Sequence, residues 1–132
     1  MSGVVFQRGT LLIHTGPHPH LHVVMNDPVY CAESADQTVL VVNLSSLKSG
    51  IYHDPSCILN AGCHPFVRVD SWLMYSHSVV LKVPRIEHNL SIGDISHRDP
   101  VDLGTFALIR QGFDVSPHVK PKVIRYIKRH GI

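Results

Sequence analysis

Side chains that exchange protons or hydrogen-bond to phosphate are concentrated in one run of the chain. The run begins at His64, includes Asp70 and Tyr75, and ends at His77. Imidazole gains and loses a proton near neutral pH, so two histidines can serve as general base and general acid. Cleavage of RNA without a metal needs such a pair, together with donors that stabilise the charged phosphorane. The run therefore predicts acid and base chemistry on a phosphodiester.

Polar residues from other segments are expected to complete this pocket. Ser45 and Ser46 follow an apolar segment that is typical of a buried strand, so their hydroxyls should face a cleft. The predicted catalytic residues are His64, His77, Ser45, Ser46, Tyr75 and Asp70. The predicted substrate-binding residues are His20, His22, Arg68, Ser71, Lys122, Arg125 and Arg129. The alternative is that all of these are satisfied polar groups on the surface of a barrel.

A metal site is the second chemical hypothesis. His18, His20 and His22 alternate, so an extended chain would project them from one face, where imidazoles can bind a metal ion. Pro17 and Pro19 disfavour a regular strand there, and the sequence has no paired Cys-x-x-Cys motif. We therefore predict no metal and no other cofactor, and keep a metal-dependent hydrolase as an alternative.

Length and composition predict a single globular domain. The chain has 132 residues, of which 44% are hydrophobic and 17% are charged. No apolar run approaches the about 20 residues that cross a bilayer, and the first residues lack the layout of a signal peptide. The three cysteines are an odd number, which favours reduced, buried thiols. These observations predict a cytoplasmic protein without membrane contact.

Positive charge is concentrated at the end of the chain. The net charge is +2 with histidine neutral, and no acid follows Asp114. Five of the twelve Lys and Arg residues lie in this last segment: Lys120, Lys122, Arg125, Lys128 and Arg129. A basic segment on a mildly acidic body favours an anionic partner such as nucleic acid, although a solvated helix face gives the same pattern.

Periodicity and turn residues predict strands first and helices last. Apolar runs predict strands over 10–13, 20–25 and 38–44, and alternation predicts a strand within 64–81. Residues 85–99 show no clean period and predict an irregular connection.

Two C-terminal helices are predicted from their starting signals. Asp99 and Ser116 are each followed by proline, and these pairs are typical of an N-cap and a first helical residue.

Four short segments resemble the PemK/MazF-like family of small SH3-like barrels, which are toxins that cleave messenger RNA. They are residues 8–13, 22–27, 40–46 and 70–79, so the resemblance covers about residues 8 to 82. It implies a hydroxyl of the catalytic site at Ser45 or Ser46, an antitoxin partner and a homodimer. The family's late-strand arginine and aspartate fall on Met74 and Ser76 here, which suggests a histidine-based variant or a barrel that has lost cleavage.

The expectation is therefore a mainly β protein of the α+β class. Residues 1–132 form one domain, with a PemK-like, SH3-like β-barrel over about 5–84 and a helical pair over about 99–130. The predicted function is metal-independent cleavage of RNA as a toxin-like endoribonuclease of a toxin-antitoxin system. The alternative from another class is a non-catalytic module that binds nucleic acid or protein, as in a phage or mobile element.

Overall fold

The computed structural model describes residues 3–14 and 17–132 as a mixed α+β fold. The Gly and Pro residues between the first two predicted strands also predict a turn over 15–19, of which residues 15 and 16 lie outside the described part. The elements, in chain order, are β1 (Thr10–Ile13), β2 (His20–Val24), β3 (Val29–Cys31), β4 (Asp36–Ser46), β5 (Ile58–Leu59), β6 (Ser71–Leu73), β7 (Val79–Lys82), α1 (Val83–Ser91), β8 (Ile95–Arg98), α2 (Leu103–Val115) and α3 (Pro121–His130).

The sheet is organised around β4. This strand of 11 residues is buried from Thr38 to Leu44, as its β-branched and apolar sequence predicts. It pairs antiparallel with β2 and β3 along one edge and with β6 and β7 along the other. Strand β1 extends the sheet beyond β2, and β8 lies beyond β1.

The described pairings form an open path rather than a ring. Its order is β5-β6-β4-β2-β1-β8, with β3 and β7 as further partners of β4. The predicted mainly β, α+β class is confirmed at this level. The closed barrel that the sequence suggested is not confirmed, because β5 and β8 end the path without pairing with each other.

Apolar side chains cover both faces of β4. Leu40 and Val42 belong to a cluster with residues of α2 and α3, whereas Val39 and Val41 belong to a cluster with α1 and β8. Alternate residues of a strand face opposite sides of the sheet, which is why one strand supplies both clusters. Within residues 3–14 and 17–132, no helix is long and apolar enough to span a membrane.

Both predicted C-terminal helices are present, but each begins later than predicted. The N-cap of α2 is Asp102, whose carboxylate accepts the Thr105 amide at 2.7 Å, and not Asp99. The carbonyl of Asp99 instead accepts the hydroxyl of Thr10 at 2.8 Å. Helix α3 begins at Pro121. The hydroxyl of Ser116 instead donates to the carboxylate of Asp54 at 2.6 Å.

The irregular connection predicted over 85–99 is wrong. This segment contains most of α1 and all of β8. Pro84 lies in the first turn of α1, where a fixed φ and a missing amide hydrogen are tolerated.

The predicted strand within 64–81 is divided into two. Strand β6 ends at Leu73, and a 3-10 turn over Tyr75–His77 separates it from β7.

Candidate functional site

A cleft of about 560 Å³ opens at the end of β4. It lies between the start of β2, the end of β4 and the loop that precedes β6. We call it the β4 cleft. The described residues that line it are His18, Pro19, His20, Leu21, Leu44, Ser45, Ser46, Lys48, Pro65, Phe66, Val67, Arg68, Val69 and Ser71.

Strand pairing positions one wall of the β4 cleft. Ser45 and Ser46 leave the buried part of β4 and pair across the sheet with Trp72 and Ser71 of β6. The hydroxyl of Ser71 is buried and donates to the carbonyl of Val69 at 3.0 Å. Ser71 therefore shapes the loop, while the two β4 serines form no side-chain hydrogen bond within the described residues.

His64 supports the loop that contributes Phe66 to the cleft lining. Its Nε2 donates to the carbonyl of Asp99 at 2.5 Å, and its Nδ1 accepts the amide of Phe66 at 3.0 Å. A carbonyl accepts only from N–H and an amide only donates, so these bonds fix the neutral tautomer with hydrogen on Nε2. Both nitrogens are used and only 3% of the residue is exposed. His64 is therefore a positioning residue, and the structure does not bring it into the cleft as a base or acid.

Tyr75 lies in the core and not in the β4 cleft. It is fully buried, and its hydroxyl donates to the carbonyl of Ile109 in α2 at 2.7 Å. Burial, with the thiol of Cys57 nearby, raises the pKa of Tyr75 well above its usual value. The phenol therefore stays protonated and joins α2 to the sheet.

The structure places Asp70 and His77 outside the described lining of the cleft. Asp70 is exposed, and its carboxylate accepts the amide of Ala61 at 2.9 Å, which fixes the turn before the loop. His77 is exposed at the end of the 3-10 turn.

His22 is not among the described residues that line the cleft, although His20 of the same strand is. Its Nδ1 donates to the carbonyl of His20 at 3.0 Å. Burial lowers the pKa of His22, so the neutral imidazole is favoured.

The predicted residues that do meet are His20, Ser45, Ser46, Arg68 and Ser71.

Nine further residues of the lining were not predicted as site residues there, and four of them bear on the function. His18 was considered only as a metal ligand, and Lys48, Phe66 and Val69 were not considered. A lysine two residues after Ser46 was the available signal for Lys48. Phe66 is 40% exposed, which is unusual for an aromatic residue and could be recognised only in the folded chain.

The electrostatic character of the β4 cleft is cationic. Lys48 and Arg68 are exposed, and neither forms a hydrogen bond or ion pair with its side chain in the part of the chain described. The imidazoles of His18 and His20 are likewise without hydrogen bonds there. No Asp or Glu occurs among the described residues of the lining. The cleft therefore fits an anionic ligand that supplies hydrogen-bond acceptors.

The basic residues of α3 lie at a different place. Lys122, Arg125 and Arg129 line a second pocket of about 210 Å³, between α3, the β3–β4 turn and β7. We call it the α3 pocket. Arg129 pairs with Glu33 there at 2.8 Å. The three predicted substrate-binding residues of α3 are thus not part of the β4 cleft.

Burial disfavours the thiolate form of two cysteines, and no ligand set for a metal is assembled among the described residues. Burial raises the pKa of both Cys57 and Cys63. Across residues 3–14 and 17–132, no three His, Cys, Asp or Glu side chains come together as a metal would require, so His18, His20 and His22 do not form such a set.

Comparison with known proteins adds no identification. No protein-family model matches the chain, and no curated protein matches it. The function must therefore be argued from the cleft itself.

Proposed function

We propose that the β4 cleft binds single-stranded RNA. The observation that carries this proposal is the combination of Lys48 and Arg68 with an exposed Phe66 in one cleft without a described carboxylate. Proteins that bind single strands pair a cationic groove for the phosphates with an aromatic ring on which a base stacks. The hydroxyls of Ser45 and Ser46 supply further hydrogen bonds to phosphate oxygens.

Cleavage of the bound strand is the second part of the proposal. One imidazole of His18 and His20 removes the proton of a ribose 2′-hydroxyl, and the resulting oxygen attacks the adjacent phosphorus. The bond from phosphorus to the 5′-oxygen breaks, and the other imidazole protonates that oxygen. The products are a 2′,3′-cyclic phosphate and a 5′-hydroxyl. Arg68 and Lys48 stabilise the additional charge on the phosphorane.

The PemK/MazF-like resemblance supports the same reaction class. Strand β4 ends in Ser45 and Ser46, where the resemblance implies a hydroxyl of the catalytic site, and these serines line the cleft. The SH3-like barrel, an antitoxin partner, a homodimer and a cytoplasmic location belong to this proposal and rest on the sequence.

A non-catalytic RNA-binding module is the second candidate, and one observation favours it. Catalytic histidines are normally held by a second group that fixes the ring and its tautomer. No hydrogen bond to a described residue orients the ring of His18 or His20. A module that only binds RNA has no need of such an orienting group.

An assay in EDTA separates the two candidates. Purified protein is incubated with a short single-stranded RNA, and both binding and cleavage are followed for the wild type, His18→Ala and His20→Ala. His77→Ala is the matched control, because His77 is an exposed histidine outside the lining. Removal of an acid or base should slow cleavage by about 100-fold or more while binding persists.

Three results are decisive. Loss of cleavage in the two cleft variants, with His77→Ala active, supports the nuclease. Binding without cleavage by the wild type assigns the non-catalytic module. Undiminished cleavage in both cleft variants removes the catalytic site proposed here.

A further inference from the structure

The α3 pocket contains an unsatisfied polar atom next to several cations. The Nε2 atom of His130 is buried and has no hydrogen-bond partner in the described structure. The ring of His130 packs against Tyr126 at a centroid distance of 4.6 Å, and both residues line the pocket. Buried polar nitrogens are normally paired, so an unpaired one in a pocket indicates that a ligand atom belongs there.

The charges of the pocket specify an anion. Arg129 is compensated by Glu33 at 2.8 Å. Lys122 and Arg125 also line the pocket, and no ion pair or side-chain hydrogen bond to a described residue compensates them. Two uncompensated positive charges match a ligand with about two negative charges, which is the charge of a phosphate monoester near neutral pH.

The size of the pocket limits the ligand further. Its volume of about 210 Å³ lies below the range of about 300–1,000 Å³ that holds drug-sized ligands. The apolar floor includes Val80 and Val123, which lie against the larger core cluster. The pocket can therefore hold a phosphate group with a few carbon atoms, and not a long polymer.

We propose that the α3 pocket binds a small phosphate monoester through Lys122, Arg125 and His130. This site is separate from the β4 cleft and does not depend on RNA cleavage. The phosphate oxygens accept hydrogen bonds from the two cations and from Nε2 of His130, and the carbon part of the ligand contacts the apolar floor. Arg129 closes one side while it stays paired with Glu33.

The test is an NMR titration of the full chain with inorganic phosphate, at constant ionic strength, that follows the imidazole signals of His130. The imidazole signals that disappear in the His130→Gln variant are those of His130. The proposal predicts a saturable shift, and Lys122→Gln and Arg125→Gln should each weaken binding by about tenfold. Lys128→Gln is the matched control, because Lys128 is an exposed lysine of the same helix that does not line the pocket.

The outcomes are distinguishable from those for the RNA site. A saturable shift that Lys122→Gln and Arg125→Gln weaken, with Lys128→Gln unchanged, supports the phosphate site even if the β4 cleft binds no RNA. No saturable shift overturns it, as does equal weakening in Lys128→Gln. A shift produced by an RNA without terminal phosphates, but not by inorganic phosphate, also overturns it and assigns the surface to a nucleic-acid backbone.

Discussion

The β4 cleft and the buried interior contain polar side chains in opposite hydrogen-bonding states. In the interior, His64 and Tyr75 have their polar atoms hydrogen-bonded to carbonyls or amides and are almost fully buried. In the cleft, His20 and Arg68 have no side-chain hydrogen bond within the described residues and face the open volume. A polar group whose hydrogen bonds are all formed within the protein has a structural role. A polar group at a cleft that forms none remains available to a ligand.

The comparison predicts different consequences for substitution in the two regions. Changes in the interior should lower the free energy of unfolding, because they remove packing or leave a buried group unpaired. Changes in the cleft should affect ligand binding and leave stability nearly unchanged. Four predictions follow from this contrast in order of expected effect on stability.

Gly112→Ala should have the largest effect. A Cβ at this position would overlap Oη of Tyr75, whose ring is held against Phe113 at a centroid distance of 4.7 Å. Tyr75 cannot move without losing its bond to α2, so we expect a loss of about 3 kcal/mol in the free energy of unfolding. Urea denaturation measures this loss.

Gly104→Ala in the same helix is the control for that substitution. The nearest atom to its added Cβ would be an Asp102 carboxylate oxygen at 3.5 Å, an ordinary contact. Alanine also favours helix over glycine, so no loss of stability is expected. Equal stability of the Gly112→Ala and Gly104→Ala proteins would contradict the close approach of Tyr75 to α2.

His64→Ala should lower the free energy of unfolding by about 2 kcal/mol, because it removes two hydrogen bonds and leaves the Phe66 amide without its acceptor. His77→Ala should change it by less than about 0.5 kcal/mol, since His77 is exposed. Urea denaturation followed by Trp72 fluorescence compares the two variants. If both were equally stable, the assignment of His64 as a positioning residue would be wrong.

Asp54→Asn tests a buried contact between a loop and the end of α2. Asp54 is 3% exposed and accepts hydrogen bonds from Ser116 at 2.6 Å and from the side chain of Ser56 at 2.6 Å. Burial alone would raise the pKa of Asp54, but the hydrogen bonds from Ser116 and Ser56 outweigh it and lower the pKa. We expect a loss of about 1 kcal/mol at neutral pH.

The pH dependence of that loss follows from the sign of the shift. Because the folded pKa of Asp54 lies below the unfolded one, the stabilisation is complete above the ordinary value of about 4 and disappears as the pH falls through the folded pKa. The difference in unfolding free energy between the wild type and Asp54→Asn should shrink in acid. Asp114→Asn, which alters only an exposed pair with Arg110, should cost less than about 0.5 kcal/mol. A difference for Asp54→Asn that stays constant down to acid pH would contradict this assignment.

Much of the fold could be predicted because its signals are local. The β-branched run of β4 and the three apolar residues of β1 indicated strands, and both were found. Helix α1 was missed because a proline after a strand is compatible with a loop and with the first turn of a helix, and only the surrounding packing decides between them.

The site was predicted less well because its decisive contacts join distant residues. His64 and Asp99 are 35 residues apart, and Tyr75 and Ile109 are 34 apart. Nothing in the sequence around His64 or Tyr75 indicates that these polar groups are already satisfied. The same limit explains why the cations of α3 could not be assigned to a separate pocket.

Lys48→Gln and Arg68→Gln should have the smallest effect on stability. Both side chains are exposed, and neither has a partner within residues 3–14 and 17–132, so each change should alter the free energy of unfolding by less than about 0.5 kcal/mol. The double variant should nevertheless bind RNA more weakly, because it removes two positive charges from the cleft. The effect of these two substitutions is therefore best measured as the dependence of RNA affinity on salt concentration.

The salt dependence of RNA affinity tests the β4 cleft most directly. Each neutralised phosphate of a single strand contributes a slope of about −0.7 to log affinity against log salt concentration. The slope for the Lys48→Gln, Arg68→Gln double variant should therefore be smaller in magnitude than the wild-type slope by about 1.4. A double variant with the same affinity and the same slope as the wild type would contradict the assignment of the cleft to RNA.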